Sequence, residues 1–214
     1  ESDFLQRELP DCWILYDNKQ DWREGPLSAG TLVIVTPSGL TKHSPLKVDL
    51  PQVLSGHGSA VLMKARGPDV LDFLICNAYL YGGSQDKIRR QKEQIRAWSS
   101  LPEGVGFVFF VGDFNFPACG VRPIAPLGVN PTREELWGRF CLDRGLLEAE
   151  QSNPTFYSIS RDNPVATRPD RAYHNFSEGC RAIFSPVASA LERPWLGEGP
   201  KPKLVVPQDH VPLA

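Results

Sequence analysis

The chain has 214 residues, 41% of them hydrophobic, and a formal net charge of −2. That length and apolar content suit one large domain, read as residues 1–214, with a single sizeable core. The near-neutral charge excludes bulk electrostatic attraction to a polyanion, so any nucleic-acid site must be a local patch or depend on a metal.

Taken in order, the segment from Glu1 to Leu9 sets Phe4, Leu5 and Leu9 among charges and predicts a short helix. Trp13 to Tyr16 reads as a strand, Asp17 to Gly30 as a polar loop, and Thr31 to Thr36 as a β-branched strand bounded by Gly30 and Pro37. Weaker strands are expected near Leu46 to Leu50 and Ala60 to Ala65, and a stronger one over Leu71 to Leu80, carrying Asn77 and Tyr79 at its end. Ser84 to Ser100 gives the clearest helix, capped by Ser84, with Ile88, Ile95 and Trp98 on one face. Its Lys87, Arg89, Arg90, Lys92 and Arg96 read as a solvated face rather than a phosphate-contacting patch.

Phe107-Val108-Phe109-Phe110-Val111 is an apolar run too short to span a membrane and reads as a fully buried strand. Gly112 breaks the run. Asp113 and Asn115, two residues apart, then face one side beyond the strand's carboxyl end, where open α/β sheets bind ligands. Phe116 to Pro131 is an irregular loop. Thr132 caps a second helix reaching about Arg144, with Glu134 and Glu135 in its first turn and Gly145 after its end. Thr155 to Ile159 and Ala182 to Val187 read as short strands, and Arg168 to Asn175 is polar and aromatic at once. Leu191 to Pro202 is linker-like, and Leu204-Val205-Val206 precedes Pro207-Gln208-Asp209-His210. Several strands follow one another without an intervening helix, which favours a mixed α/β layered sandwich over a parallel doubly wound sheet.

The five cysteines are scattered and form no CxxC pair, against a zinc knuckle. Cys76, in an apolar run, reads as a small buried hydrophobe in a reducing compartment. No apolar run approaches the ~18 residues of a membrane span, and no secretory leader is visible, so an intracellular protein without membrane contact is expected. The five tryptophans are expected in packing roles, and His43, His57 and His174 at the surface or in loops.

Two strand ends carry acids: Asp113 with Asn115, and Asp209 with His210; Asp170 and Glu1 are further candidates. Converging carboxylates cannot all stay ionised near neutral pH unless a cation neutralises them. Oxygen-only ligands select Mg²⁺ or Mn²⁺, which would polarise a phosphoryl oxygen. In such a site Asp113 would accept a proton from an attacking water, and Asn115 would hold that water or a non-bridging oxygen. A cationic His210 and the Tyr79 phenol would donate to phosphate. The competing account of the Gly-Asp-Phe-Asn segment is a turn with Asx chemistry.

The order of these motifs resembles the endonuclease/exonuclease/phosphatase superfamily, the deoxyribonuclease-I-like fold. Gly30-Thr31-Leu32-Val33-Ile34-Val35 is similar to the family's early strand, and Asn77-Ala78-Tyr79 to its N-x-Y element. Gly112-Asp113-Phe114-Asn115 matches the family's GDFN signature, and Asn153-Pro154-Thr155-Phe156 resembles its T-[FW] strand. Arg168-Pro169-Asp170-Arg171-Ala172-Tyr173 resembles the R-[IL]-D-[RY]-x-[YF] segment, and Gln208-Asp209-His210-Val211-Pro212 the terminal S-D-H-x-P. The resemblance implies a four-layer α/β sandwich, two packed mixed β-sheets flanked by helices, and a divalent-metal phosphodiesterase. It assigns water activation to Asp113, phosphate contacts to Asn115, Tyr79, Asn77 and Asn175, and completion of the site to Asp209, His210 and Asp170. Glu1 and Asp209 become the metal ligands.

Against the family pattern the chain reads as terminally truncated. The first strand and its asparagine are absent, and the closing strand is short or missing. Pro169 replaces an aliphatic residue and cannot donate a ladder hydrogen bond. Gln208 replaces a serine, and raw sheet edges are expected. Within the family, GDFNFP with R-x-D-R-x-Y resembles endonuclease domains of non-LTR retrotransposons. That implies a DNA-nicking, nuclear, monomeric enzyme cut from a longer polyprotein. A phosphatase acting on phosphoinositides or small phosphoesters, and an inactive binding module on the same fold, are the competing readings.

Overall fold

The structure is a computed structural model that describes residues 2–17, 30–82, 85–116, 130–151, 155–160, 163–176, 195–196 and 203–204. Glu1, the Ser84 cap, the expected strand at 182–187, Asp209 and His210 lie outside the described residues. In chain order the elements are α1 (Ser2–Glu8), β1 (Trp13–Asp17), β2 (Thr31–Val35), α2 (Pro37–Lys42), β3 (His43–Val48), β4 (Gly58–Ala65), β5 (Phe73–Tyr79), α3 (Gln85–Trp98), β6 (Phe107–Asp113), α4 (Arg133–Arg144), β7 (Leu147–Glu148), β8 (Phe156–Ser160), β9 (Asn163–Thr167), β10 (Asp170–His174), β11 (Trp195–Leu196) and β12 (Lys203–Leu204).

A six-stranded mixed sheet, ordered β3-β4-β5-β6-β10-β7, is the centre of the molecule. Its β5–β6 pair is parallel, and α3 connects the two strands; the other pairs are antiparallel. Alternation along the strands divides the sheet into two faces. On one, Leu74, Cys76, Ala78, Val108, Phe110 and Tyr173 pack against Ile95 and Trp98 of α3 and against Leu136, Trp137 and Phe140 of α4. Phe110 meets Trp98, Trp137 and Phe140 edge-on, with centroids 4.9–5.5 Å apart, the geometry aromatic quadrupoles prefer. On the other face the antiparallel β1–β2 hairpin lays Val33 and Val35 over Val61 and Met63, with Phe73 and Ile75 at the edge of this second cluster. The outcome is an α/β sandwich of helices, mixed sheet and hairpin. β8–β9 and β11–β12 form further two-stranded pairs.

Helix α4 starts as its sequence dictates. The Thr132 side chain accepts from the Glu135 N–H, and the Glu135 carboxylate accepts from the Thr132 N–H, a reciprocal capping box. Arg144, at the other end, donates to the carbonyls of Ser99, Leu101 and Pro102 and so secures the turn after α3.

Several segments differ from expectation. β6 is buried on one face only: Val108 and Phe110 are buried, whereas Phe107, Phe109 and Val111 are half-buried beneath the ring of Phe176 and its surroundings. Pro37 does not merely end β2; it opens α2, where its fixed φ and missing N–H suit the first helical position. The Arg168–Asn175 segment holds β10, an interior strand of the sheet, and Trp195–Leu196, within the stretch read as linker, pairs with Lys203–Leu204 just beyond it. His57 and His174 are buried, at 8% and 6% exposure, rather than superficial. His57 lies against Tyr79 and Tyr81, and His174 sits in β10 beside Phe176. Among the described residues, no helix is long and apolar enough to cross a membrane.

Candidate active site

The parallel register sets Tyr79 beside Asp113, and the antiparallel register sets Asp170 on Asp113's other side. Paired positions share a face, so phenol, carboxylate and carboxylate form one row across β5, β6 and β10. With strands ~4.8 Å apart, the row spans roughly 10 Å, a width that a phosphodiester group and its neighbours can cover. All three residues are half-buried. Asn77, two residues before Tyr79, lies on the same face, where its Nδ2 donates to the Leu32 carbonyl at 3.1 Å and ties β5 to the hairpin.

Asp113 is held by the loop that follows it. Its Oδ1 accepts from the Asn115 backbone N–H at 2.9 Å, and its Oδ2 from Asn115 Nδ2 at 2.8 Å. The same Nδ2 donates to the Leu80 carbonyl at 3.0 Å. Both groups facing the amide are acceptors, which fixes its nitrogen towards them and commits both hydrogens. The Asx turn is therefore present, and it is what fixes the Asp113 carboxylate in place. Asn115 takes φ +51°, the left-handed region that asparagine tolerates better than most residues.

Two glycines let the strands close around this loop. Gly112 has φ +147°, and a Cβ there would lie 1.8 Å from the Ala78 carbonyl oxygen on β5. A Cβ on Gly82 would lie 2.7 Å from Asn115 Oδ1. Asp170 is placed by its neighbours: its N–H donates to Thr155 Oγ1 at 3.2 Å, and its carbonyl accepts from Gln151 Nε2 at 3.0 Å. Arg168, just before β10, ion-pairs with Glu148 at 2.9 Å. The Pro169 carbonyl accepts from the Phe114 N–H, so the proline enters the ladder as an acceptor and its missing donor costs nothing.

Asn175 is not brought to the row. Its Oδ1 accepts from the Val108 N–H at 2.7 Å, and its Nδ2 donates to the Gly106 carbonyl at 3.1 Å, both at the opposite end of β6. Five residues of strand separate Val108 from Asp113, about 17 Å. Asp113, Tyr79, Asp170, Asn115 and Asn77 are thus gathered at one end of the sheet, and Asn175 is remote.

Like charges directly opposite each other weaken a sheet, and a hard cation beside Asp113 and Asp170 would offset that. The donors in the row are all oxygens, the chemistry that suits Mg²⁺ or Mn²⁺. Two carboxylates would supply only part of a coordination sphere, and no group of three or more potential metal ligands occurs among the described residues.

Three polar residues behind the loop receive no role from the sequence: Gln91, Arg133 and Arg171, the last of them standing within the R-x-D-R-x-Y motif. Gln91 and Arg171 are fully buried. Gln91 Nε2 donates to the Phe114 carbonyl at 2.7 Å, and Arg171 donates to the Phe116 carbonyl at 2.6 Å. A second guanidinium nitrogen of Arg171 donates to the Tyr173 hydroxyl at 3.0 Å, and burial pushes that phenol far above its usual range, so it stays protonated. The available signal was the position of Gln91 on the apolar face between Ile88 and Ile95.

No protein-family profile and no curated protein matches the chain. Solved structures do. An endonuclease/exonuclease/phosphatase family protein from Bacteroides thetaiotaomicron is similar at TM-score 0.57 and 13% identity, over 99% of this chain and 77% of its own. The 3′ phosphatase NExo from Neisseria, solved with a product DNA hairpin, is similar at TM-score 0.53 and 17% identity, over 99% and 91%. The endonuclease domain of TRAS1, a telomere-specific non-LTR retrotransposon, matches 76% of the chain at 18% identity and TM-score 0.46; the chain spans 66% of that domain. The fold is therefore the one shared by endonuclease/exonuclease/phosphatase structures, reached at low sequence identity.

Proposed function

We propose that the chain is a divalent-metal-dependent phosphodiester hydrolase acting on DNA, an endonuclease of the retrotransposon type that nicks one strand. The observation that carries this reading is the Tyr79–Asp113–Asp170 row, with Asp113 immobilised by Asn115. Support for a nucleic-acid substrate comes from the GDFN and R-x-D-R-x-Y motifs and from the fold shared with NExo.

Asn115 occupies one lone-pair direction on each Asp113 oxygen. Held in that orientation, Asp113 is the base that takes a proton from a water attacking phosphorus. The Tyr79 hydroxyl donates to a non-bridging oxygen from the neighbouring strand. Because both its amide hydrogens are engaged, Asn115 acts on Asp113 and reaches the phosphate only through it. His210, oriented by an acid, donates to the phosphate. Asp209 and Glu1, with an acid of the row, would hold Mg²⁺ or Mn²⁺, which would supply charge to neutralise the phosphoryl group and the leaving oxygen. As an enzyme of the retrotransposon type it would work as a monomer in the nucleus.

The test is supercoiled plasmid incubated with the chain and Mg²⁺, beside an inositol phosphate under the same conditions. Nicked circles are expected, lost on adding EDTA and lost in Asp113→Ala and in His210→Ala. Unaltered nicking in both variants removes the assignment. Phosphate release without nicking makes the protein a phosphatase, and neither activity makes it a binding module.

A further inference from the structure

Three successive carbonyls of the site loop, those of Phe114, Asn115 and Phe116, each receive a hydrogen bond from a different element behind the sheet. Gln91 of α3 donates to the first at 2.7 Å, Arg133 of α4 to the second at 3.4 Å, and Arg171 of β10 to the third at 2.6 Å. Arg133 also donates to Gln91 Oε1 at 3.0 Å, so two of these donors are linked. Arg171 lies opposite Gly112 in the ladder, on the helix-facing side, directly behind Asp113. Its guanidinium carbon stands 5.1 Å from the Phe114 ring centroid and 4.6 Å from that of Phe116, and Arg133 approaches Phe116 at 5.8 Å.

Burying a guanidinium is costly. Among the described residues, that of Arg171 meets no carboxylate, and its Nε has no hydrogen-bond partner. A methionine or leucine would fill the same volume at lower cost. What an aliphatic side chain cannot supply is the donor on the Phe116 carbonyl. The loop needs such a donor, because Asn115 occupies a sparsely populated backbone region that persists only when its surroundings over-determine it.

We propose that Arg171, with Gln91 and Arg133, is a positioning clamp that sets the Asp113–Asn115 geometry from the rear of the sheet. Arg171 touches neither substrate nor metal; it turns the loop carbonyls inward so that the Asn115 N–H and amide face Asp113. The inference rests on Asp113 being the reacting acid, and its test separates the two.

Arg171→Met preserves the packed stem and removes the donor. The expected outcome is a kcat for plasmid nicking reduced about 10²-fold, the loss that misplacing a reacting group by ~1 Å brings, with KM changed by less than about 3-fold. Arg171→Lys, which keeps one donor, recovers about 10-fold of the loss. Independently of activity and without Mg²⁺, the Asn115 amide exchanges with deuterium about 10-fold faster in Arg171→Met, while the Val108 amide is unchanged. Wild-type kcat and wild-type Asn115 exchange in Arg171→Met, with Asp113→Ala inactive, overturn the clamp. If Asp113→Ala still nicks, the functional reading fails and the exchange measurement alone decides the clamp. Should Arg171→Met not fold, Arg133→Met at the partly exposed position decides: a ~10-fold fall in kcat at unchanged KM supports the clamp, and unchanged kcat and exchange overturn it.

Discussion

Substituting Asn115 separates the backbone and side-chain contributions to the site loop. Its Nδ2 bond to Asp113 joins a partly exposed carboxylate, worth about 1.5 kcal/mol, and its bond to the Leu80 carbonyl about 1 kcal/mol. Both Asn115→Gly and Asn115→Ala lose these and keep the backbone N–H bond to Asp113 Oδ1. Asparagine already carries a Cβ at φ +51°, so alanine keeps that strain while glycine relieves it, by about 1 kcal/mol after allowing for glycine's greater freedom in the unfolded chain. The expected losses are therefore about 1.5 kcal/mol for glycine and about 2.5 for alanine. Urea unfolding followed by tryptophan fluorescence reads this directly, since Trp98 and Trp137 are buried in the main core. At an m-value of about 2 kcal/mol/M the midpoints fall by about 0.75 and 1.25 M. Equal midpoints for the two variants would show that residue 115 is not held in the left-handed region. Midpoints within about 0.2 M of wild type would show that the amide bonds contribute nothing.

Gly112→Ala adds a Cβ that meets the Ala78 carbonyl at 1.8 Å, and backbone cannot yield as a side chain tip would; a loss above about 3 kcal/mol is expected. Gly138→Ala in α4, where a Cβ would meet nothing within 4 Å, should stabilise by about 0.5–1 kcal/mol in the same urea assay; the reverse ranking would contradict the register of β5 on β6. Burial holds the His174 imidazole below its ordinary range, so below about pH 6.5 the unfolded chain binds a proton that the folded chain resists, and stability falls as pH drops. His174→Phe, beside Phe176, should flatten the fall in urea midpoint between pH 7.5 and 5.5, and an unchanged slope would refute it.

What the sequence disclosed follows from how local each signal is. Thr132 and Gly145 mark the ends of α4 through bonds made within a few residues. The apolar run at Phe107 locates β6 because a short continuous apolar stretch marks a strand, but its lack of alternation hid that only one face is buried. The pairing of Asp170 with Asp113 is long-range and became legible only through the motif order. β9 escaped because Asn163 and Pro164 are poor strand residues, and their pairing with β8 overrides that preference. The burial of His57 and His174 is set by rings from other elements, which periodicity does not register.

The same distinction explains why half of the site could be read and half could not. Asp113, Asn115 and Tyr79 stand at strand ends with polar chemistry exposed by position, whereas Gln91 and Arg171 lie on faces that alternation assigns to the core. A polar residue on such a face is costly unless something nearby needs its donors. Here the need is identifiable: a loop with one residue at positive φ has turned its carbonyls away from solvent and into the helix layer. The front of the loop orients a carboxylate with donors from its own chain, and the back satisfies its carbonyls with donors from α3, α4 and β10. Neither half holds the geometry alone. Without the rear donors, three partly buried carbonyls would turn towards water and carry the Asn115 N–H with them. Without the front bonds, nothing would keep Asn115 left-handed. Substitutions on the two faces should therefore be strongly non-additive, so a double variant of Asn115→Ala and Arg171→Met should lose less stability than the two single losses combined.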